Sequence, residues 1–179
     1  MNVRFLDTFE IVGERAWNEL VAKSPTRTIS QTWAWQRAWW RAHAAPGLEL
    51  RLAAIYDGSD LRVLMPLFLE GRVLRFIGHG AADRIDLIYD EGRSADLLAL
   101  LGPLKARKDW DEMELAPIPS ASPTWRYFKI KAEEAALFPL TVCKYPLRGF
   151  YLEGREDRTG RFLDTGILFK HASIFASWG

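Results

Sequence analysis

The stretch that decides the fold of this chain is SQTWAWQRAWW, residues 30–40, in which four tryptophans fall within eight positions. Thr32 or Ser30 can cap a helix at this point, because a short hydroxyl side chain satisfies free N–H groups at a helix start. The AAPG sequence at 44–47 breaks the pattern. We therefore predict a helix that runs to about His43, in whose last turn an imidazolium is favourable.

The tryptophans of this helix form a broad aromatic arc. At about 100° per residue, Trp33 and Trp40 share one edge, and Trp35 and Trp39 share another about 130° away. Gln36 lies between the two edges. Broad apolar arcs usually belong to a core, and the amide of Gln36 can serve a buried indole N–H. The alternative is a platform on which Trp35, Gln36 and Trp39 bind a sugar or a cationic group.

The segments around this helix predict a mixed order of strands and helices. Apolar and polar residues alternate in several short runs, as in half-buried strands, whereas other runs have helical spacing. Pro66 lacks a backbone donor, which predicts a sheet edge or a bulge. The predicted strands are 3–10, 48–56, 61–69, 73–78, 84–89, 110–118, TVCKY and GFYLE, and the other predicted helices are 14–23, a helix from Ser94 to about Leu101 that Pro103 ends or kinks, and one within 120–138.

Composition restricts the classes of function. Lys and Arg total 24 against 23 Asp and Glu, so the chain lacks the basic excess of nucleic-acid binders. A single cysteine and three scattered histidines offer neither a disulfide nor a metal site, and they fit a reducing compartment. No signal peptide and no apolar run of about 18 residues is present, so we expect a cytoplasmic protein without a membrane span.

The order of elements resembles the acetyltransferase fold of the GNAT superfamily, an α/β fold with a mixed, mostly antiparallel central sheet flanked by helices on both faces. Four motifs in order sharpen the resemblance to the N-terminal half of the CelD-type acetyltransferases of bacterial cellulose biosynthesis. They are SQTWAWQRAWW, LAAIYDGSDLRVLMPLFL, LRFIGHGAADRIDLI and WDEMELAPIPSASPTW.

This resemblance implies an acyltransferase that moves an acyl group from acyl-CoA, such as acetyl-CoA, to an amine or hydroxyl acceptor in exopolysaccharide or cell-envelope synthesis. Such proteins are about twice as long, so residues 1–152 are expected to be an N-terminal half-domain and residues 153–179 an atypical, poorly ordered tail. The expected partners are a small-molecule or saccharide acceptor and a second acetyltransferase half or a second copy. The alternative is a domain that binds an acceptor or a partner protein without catalysis.

One glycine-containing motif has the spacing of an acyl-CoA pyrophosphate loop. Arg75, Gly78 and Gly80 match R/Q-x-x-G-x-G/A, in which glycines let backbone N–H groups approach phosphate. The alternative is a turn after a strand, because the residues from Ala81 onward lead into an apparent strand rather than a helix.

Three side chains in or after this motif are candidates for proton transfer and acceptor binding. The resemblance matches Gly78-x-Gly80 with Asp83 and Asp86 to a signature in which Ala82 and Arg84 replace a serine and a tyrosine. Asp83 and Asp86 point to opposite sides of an extended segment. Asp83 and His79 are the candidate catalytic bases, and Asp86 is a candidate substrate ligand. A loop carboxylate that caps N–H groups and a solvated histidine are the alternatives.

Overall fold

The computed structural model describes residues 2–119, 122–124 and 127, and the backbone of 140–144 and 164–170. In this part of the chain, strands and helices alternate in the mixed order that the sequence predicts. The elements are β1 (Asn2–Leu6), α1 (Glu14–Lys23), a 3₁₀ turn (Ile29–Gln31), α2 (Trp33–His43), β2 (Leu48–Asp57), β3 (Asp60–Glu70), β4 (Val73–Phe76), β5 (Ile88–Tyr89), a 3₁₀ segment (Glu91–Leu100), α3 (Leu101–Ala106), β6 (Glu112–Pro119), β7 (Leu140–Lys144) and β8 (Asp164–Lys170).

All of these strands belong to one mixed sheet with the order β1-β2-β3-β4-β6-β8-β7, and β5 also pairs with β3. Every pairing is antiparallel except that of β4 with β6. Antiparallel neighbours can follow one another through tight turns, whereas a parallel pair needs a longer crossover. The crossover between β4 and β6 contains β5, the 3₁₀ segment and α3.

Helices pack on both faces of the sheet, because side chains alternate along its strands. In β2, Leu52 and Ala54 face the cluster that contains the buried residues of α1 and α2. Ala53 and Ile55 face the opposite cluster, which contains Leu97, Leu100, Leu101 and Leu104 of the crossover. Each fully buried large apolar side chain contributes roughly 1.5–3 kcal/mol. The two apolar faces of the sheet therefore hold the helical layers in place.

Strands β4 and β5 lie along the same edge of β3 as one interrupted strand. Leu67 pairs with Phe76, so an uninterrupted register would place residue 79 opposite Leu64, yet Ile88 pairs there. Compared with an uninterrupted strand, the chain therefore has nine additional residues between the parts of β4 and β5 that pair with β3. We call residues 78–87 the excursion.

The position of Pro66 corrects the prediction of an edge or bulge, because β3 is an inner strand at this residue. The Pro66 carbonyl accepts from Ile77 N at 3.0 Å, so its missing N–H would point toward the same neighbour. That side is where β4 ends and the excursion leaves the sheet, so the missing donor coincides with a break in the pairing.

Two other predictions need correction. The strand predicted over 84–89 pairs with β3 only at Ile88 and Tyr89, because the preceding residues belong to the excursion. The helix predicted from Ser94 follows a short helical turn that starts at Glu91, after an Asp90 cap whose Oδ1 accepts from Gly92 N at 3.0 Å; Arg93 is non-helical, so the helical backbone resumes at Ser94. Pro103 does not end it, because it lies in the first turn of α3, where no N–H is required.

At the carboxyl side of the chain, β7 matches the predicted TVCKY strand. The predicted GFYLE strand and most of the helix predicted within 120–138 lie outside the described residues. The division at residue 152 stays a prediction, and Asp164–Lys170 of the tail form β8 between β6 and β7. None of the helices in the described part of the chain has the length and apolarity that a bilayer crossing demands.

Candidate functional site

The two parallel strands β4 and β6 stop pairing near their carboxyl ends, where open α/β sheets commonly bind ligands. They pair only over residues 73–75 and 112–114. Beyond this point β6 has a register irregularity between Leu115 and Ile118. The Pro117 carbonyl accepts from Ile85 N of the excursion at 2.9 Å. The excursion therefore lies against β6 where β4 no longer pairs with it.

The excursion begins with a tight turn that requires glycine. Gly78 has φ 99° and Gly80 has φ 77°, which is the left-handed region that glycine enters without strain. A Cβ on Gly78 would lie 2.9 Å from Cη2 and Cζ3 of Trp35, so the indole occupies the space that any larger residue would need. The backbone N–H groups of Ala81 and Ala82 both donate to the Gly78 carbonyl at 3.0 Å, so both donors have their hydrogen-bond partner within the turn.

The predicted pyrophosphate contact, Arg75, lies at the end of β4 beside two carboxylates. Its Nε donates to Glu114 at 3.0 Å, and its Nη1 pairs with Glu70. No helix starts directly after Gly80; the next helical segment starts at Glu91. The role of Arg75, Gly78 and Gly80 in acyl-CoA binding stays a prediction.

Asp86 is the buried carboxyl group of the excursion, with 1% of its surface exposed. Its Oδ1 accepts from Leu87 N at 2.8 Å and its Oδ2 accepts from Ser122 Oγ at 2.5 Å. Burial raises the pKa of Asp86 to about 6, although both hydrogen bonds act in the opposite direction. The group can therefore exchange a proton near neutral pH, but its oxygens already have partners within the chain.

The hydrogen bonds continue from Asp86 to the segment that follows β6. Ser122 Oγ accepts from Thr124 N at 3.0 Å, and Thr124 Oγ1 donates to Tyr89 Oη at 3.4 Å. Ser122, Thr124 and Tyr89 are all buried, and burial raises the pKa of the Tyr89 phenol. We call Asp86, Tyr89, Ser122 and Thr124 the buried polar chain; it ties the excursion to the carboxyl end of β6.

The two candidate bases, His79 and Asp83, lie in the excursion on its more accessible part. Asp83 is exposed, whereas His79 is partly buried. The backbone N–H of His79 donates to the Phe76 carbonyl at 3.0 Å. The structure therefore separates exposed Asp83 from buried Asp86. The proposed catalytic roles of His79 and Asp83 stay predictions, as does acceptor binding by Asp86.

The aromatic helix packs against the sheet, and only part of its arc contacts the excursion. Trp35 covers Gly78, and the fully buried Gln36 donates through Nε2 to the Ile77 carbonyl at 3.4 Å. Trp39 instead stacks on His43, with ring centroids 4.3 Å apart, and is 9% exposed. Trp35 and Gln36 are thus close to the glycine turn, while Trp39 belongs to the core; their predicted role in substrate binding stays a prediction.

The sequence analysis missed two polar residues that hold the excursion. Ser30 Oγ donates to the Arg84 carbonyl at 2.7 Å. The Nε2 of Gln31 donates to the carbonyls of Asp86 at 3.3 Å and Leu87 at 3.4 Å. Ser30 was predicted only as a possible helix cap. Gln31 completes a Thr28-x-x-Gln31 capping box, a local pattern that predicts the helix start but not the bonds to the excursion, because those partners lie more than fifty positions away.

Comparison with solved structures shows an acetyltransferase fold. Diaminobutyrate acetyltransferase EctA from Paenibacillus lautus matches with a TM-score of 0.57 at 12% identity, covering 95% of each chain. The ribosomal-protein-S18-alanine N-acetyltransferase from Escherichia coli matches with a TM-score of 0.50 at 11% identity, covering 94% of this chain and 92% of its own. The acetyltransferase from Salmonella typhimurium that modifies the N-terminal serine of L7/L12 matches with a TM-score of 0.50 at 14% identity, covering 94% of each chain.

These matches confirm the predicted fold class, a GNAT-like α/β fold, over nearly the whole chain. No protein-family model matches the sequence. No curated protein matches it either.

Proposed function

We propose that this protein is an acyltransferase that uses acyl-CoA to acylate an amine or hydroxyl acceptor. One observation carries the proposal: within an acetyltransferase fold, the pairing of the parallel strands β4 and β6 ends after three residues, beside a glycine turn. A gap at the carboxyl ends of parallel strands is a place where extended ligands bind.

In the proposed reaction the acceptor nitrogen or oxygen attacks the thioester carbonyl, the carbon–sulfur bond breaks, and CoA leaves as a thiolate that takes up the proton lost by the acceptor to become the thiol. The proton lost by the acceptor passes first to Asp83, which is exposed, or to His79, which is partly buried. The pyrophosphate would lie at the turn of Gly78 and Gly80, with Arg75 as its cation. The reaction would depend mainly on orientation of the two substrates.

The proposed setting is exopolysaccharide or cell-envelope synthesis in the cytoplasm, with a saccharide or small-molecule acceptor. The four sequence motifs shared in order with CelD-type acetyltransferases support this choice. A second acetyltransferase half or a second copy of the chain is the proposed protein partner. Mass spectrometry of products from acetyl-CoA and a panel of amino sugars, neutral sugars and diamines tests the acceptor class.

A second candidate is a domain that binds an acceptor or a partner protein without catalysis. The ion pairs of Arg75 favour this second candidate, because its guanidinium already pairs with Glu70 and Glu114. It is also favoured by the turn, where the N–H groups of Ala81 and Ala82 donate to the chain itself. A loop whose donors and cation are satisfied internally gains less from a phosphate.

Isothermal titration with acetyl-CoA distinguishes the two candidates. Gly80→Ala and Gly58→Ala are matched variants, because both glycines have positive φ and neither has an atom within 4 Å of an added Cβ. Gly58 lies in the turn between β2 and β3, away from the excursion. We expect acetyl-CoA to bind the wild type and Gly58→Ala equally, and Gly80→Ala at least about fivefold more weakly. No heat at millimolar acetyl-CoA would remove the acyltransferase proposal and leave the binding domain.

A further inference from the structure

The connection between α1 and α2 holds the excursion through buried hydrogen bonds that start at Gln31. This side chain has no exposed surface. Its Oε1 accepts from Thr28 N at 2.9 Å and from Thr26 Oγ1 at 3.0 Å, while its Nε2 faces the carbonyls of Asp86 and Leu87. The carboxamide is therefore oriented by the loop before α2 and donates toward the excursion.

The Gln31 backbone is itself fixed in the core. The Nε1 of the fully buried Trp17 donates to the Gln31 carbonyl at 2.8 Å. Buried hydrogen-bonded amides of this kind are costly to leave unpaired, so each partner restrains the others. The side chain of Gln31 is thus a rigid support, and its hydrogen bonds to the excursion go to the carbonyls of Asp86 and Leu87.

These two carbonyls flank the atoms that set the position of the Asp86 carboxyl group. Leu87 N donates to Asp86 Oδ1, and Ser122 Oγ donates to Asp86 Oδ2. Without the Gln31 amide, the peptide between Asp86 and Leu87 would lose its support from the α1–α2 side. The carboxyl group could then move away from Ser122, and the excursion would loosen where it meets β6.

We infer that Gln31 is a positioning residue for the proposed acyl-transfer site: its carboxamide holds the excursion so that the Asp86 carboxyl group stays on Ser122 and Ile85 stays on Pro117 of β6. This inference rests on the proposed function for its catalytic meaning, but the positioning itself is measurable without any ligand. Gln31 does not contact the proposed substrates, so its effect is exerted through Asp86.

The test compares Gln31→Met with Gln36→Met. Both glutamines are fully buried and both donate to backbone carbonyls, but Gln36 reaches Ser30 and Ile77 rather than Asp86 and Leu87. The carboxyl carbon-13 signal of Asp86, assigned with Asp86→Asn, is followed by NMR between pH 3 and 8. We expect the midpoint of the Asp86 titration to fall by about one pH unit in Gln31→Met, because a carboxyl group that has moved away from Ser122 becomes hydrated. In Gln36→Met it should remain at the wild-type value.

Hydrogen exchange supplies a second readout on the same samples. The Ile85 N–H, which bonds to Pro117, and the Leu87 N–H, which bonds to Asp86, should exchange at least about tenfold faster in Gln31→Met than in Gln36→Met. If both variants lose stability while the Asp86 midpoint and these exchange rates stay equal, Gln31 is merely structural and the inference is overturned. Should Gln31→Met fail to fold, Gln31→Asn keeps a neutral amide but shortens the side chain by one methylene, so the amide no longer reaches the carbonyls of Asp86 and Leu87.

Acetyl-CoA titration separates this inference from the proposed function. If the wild type does not bind acetyl-CoA but the Asp86 midpoint moves in Gln31→Met, the positioning stands and the acyltransferase proposal fails. If the wild type binds and Gln31→Met binds with the same affinity and turns over at the same rate, the positioning role in the site fails. Leu104→Ala, a buried change in α3, controls for loss of stability alone.

Discussion

The buried carboxyl group of Asp86 predicts an unusual dependence of folding stability on pH. Its folded-state pKa of about 6 lies above the ordinary value of 3.8. Below about pH 3 the group is protonated in both the folded and unfolded chain. As pH rises from about 3 to 7, the unfolded chain ionises first, so Asp86 lowers the free energy of unfolding. The stabilising contribution is therefore present at low pH and lost by about pH 7.

The size of this loss follows from the two pKa values. One pKa unit corresponds to about 1.36 kcal/mol, so a rise from 3.8 to about 6 amounts to about 3 kcal/mol in a fully buried group. Asp86→Asn removes the ionisation, while an amide oxygen can still accept from Leu87 N and the amide nitrogen can donate to Ser122 Oγ. Relative to the wild type, Asp86→Asn should gain about 3 kcal/mol between pH 3 and pH 7.5.

Urea unfolding of both proteins at several pH values measures this difference, and other titrating groups cancel between them. Asp83→Asn is the matched control, because it makes the same change three residues earlier at an exposed position. Solvent screening there should leave a much smaller effect. A wild-type-minus-variant curve that stays flat within about 0.5 kcal/mol from pH 4 to 7.5 would refute the reasoning that burial governs this carboxyl group.

Three further substitutions test other parts of the structure. Gly78→Ala places a Cβ 2.9 Å from the Trp35 ring at a residue with φ 99°, so urea unfolding should show a free energy of unfolding lower by about 2–4 kcal/mol. Adding Trp35→Leu to this variant should restore part of that loss. Glu70→Gln removes one of the carboxylates that pair with Arg75. If Arg75 binds the pyrophosphate, titration should show that acetyl-CoA binds this variant about threefold more tightly than the wild type. Weaker binding would contradict that role. Trp17→Phe leaves a buried backbone carbonyl without its donor, and unfolding monitored by far-UV circular dichroism should show a loss of about 1–3 kcal/mol.

The sequence predicted the layered fold because its local patterns agree with its packing. The β2–β3 hairpin follows from two alternating apolar runs around DGSD, and the aromatic arc of α2 packs on the sheet as a broad apolar stripe should. The prediction for Pro66 was wrong because an inner strand can also accommodate a missing donor where the strand beside it is interrupted. Here the neighbour of β3 is interrupted at that residue, and the interruption depends on contacts between distant parts of the chain.

The candidate site was less predictable for the same reason. The spacing of Gly78 and Gly80 correctly marked a turn, since positive φ is a local property. The environment of Asp86 depends on Ser122, which is 36 positions later, and on Gln31, which is 55 positions earlier. Side chains that hold a loop from such distances leave no periodic pattern in the sequence. The only local difference between exposed Asp83 and buried Asp86 is that residues three apart point to opposite sides of an extended segment.

The contacts of the excursion also determine how a ligand can reach the gap between β4 and β6. Moving the excursion aside would break the bonds from Ser30 to Arg84, from Gln31 to Asp86 and from Ile85 to Pro117. At about 1 kcal/mol each, these bonds would lower the apparent affinity of a displacing ligand by about two orders of magnitude. A ligand that binds with the excursion in place avoids this cost and meets the accessible residues of its turn. Direct substrate contacts are therefore expected from Gly80 and Asp83, while Asp86 contributes through the position of the excursion.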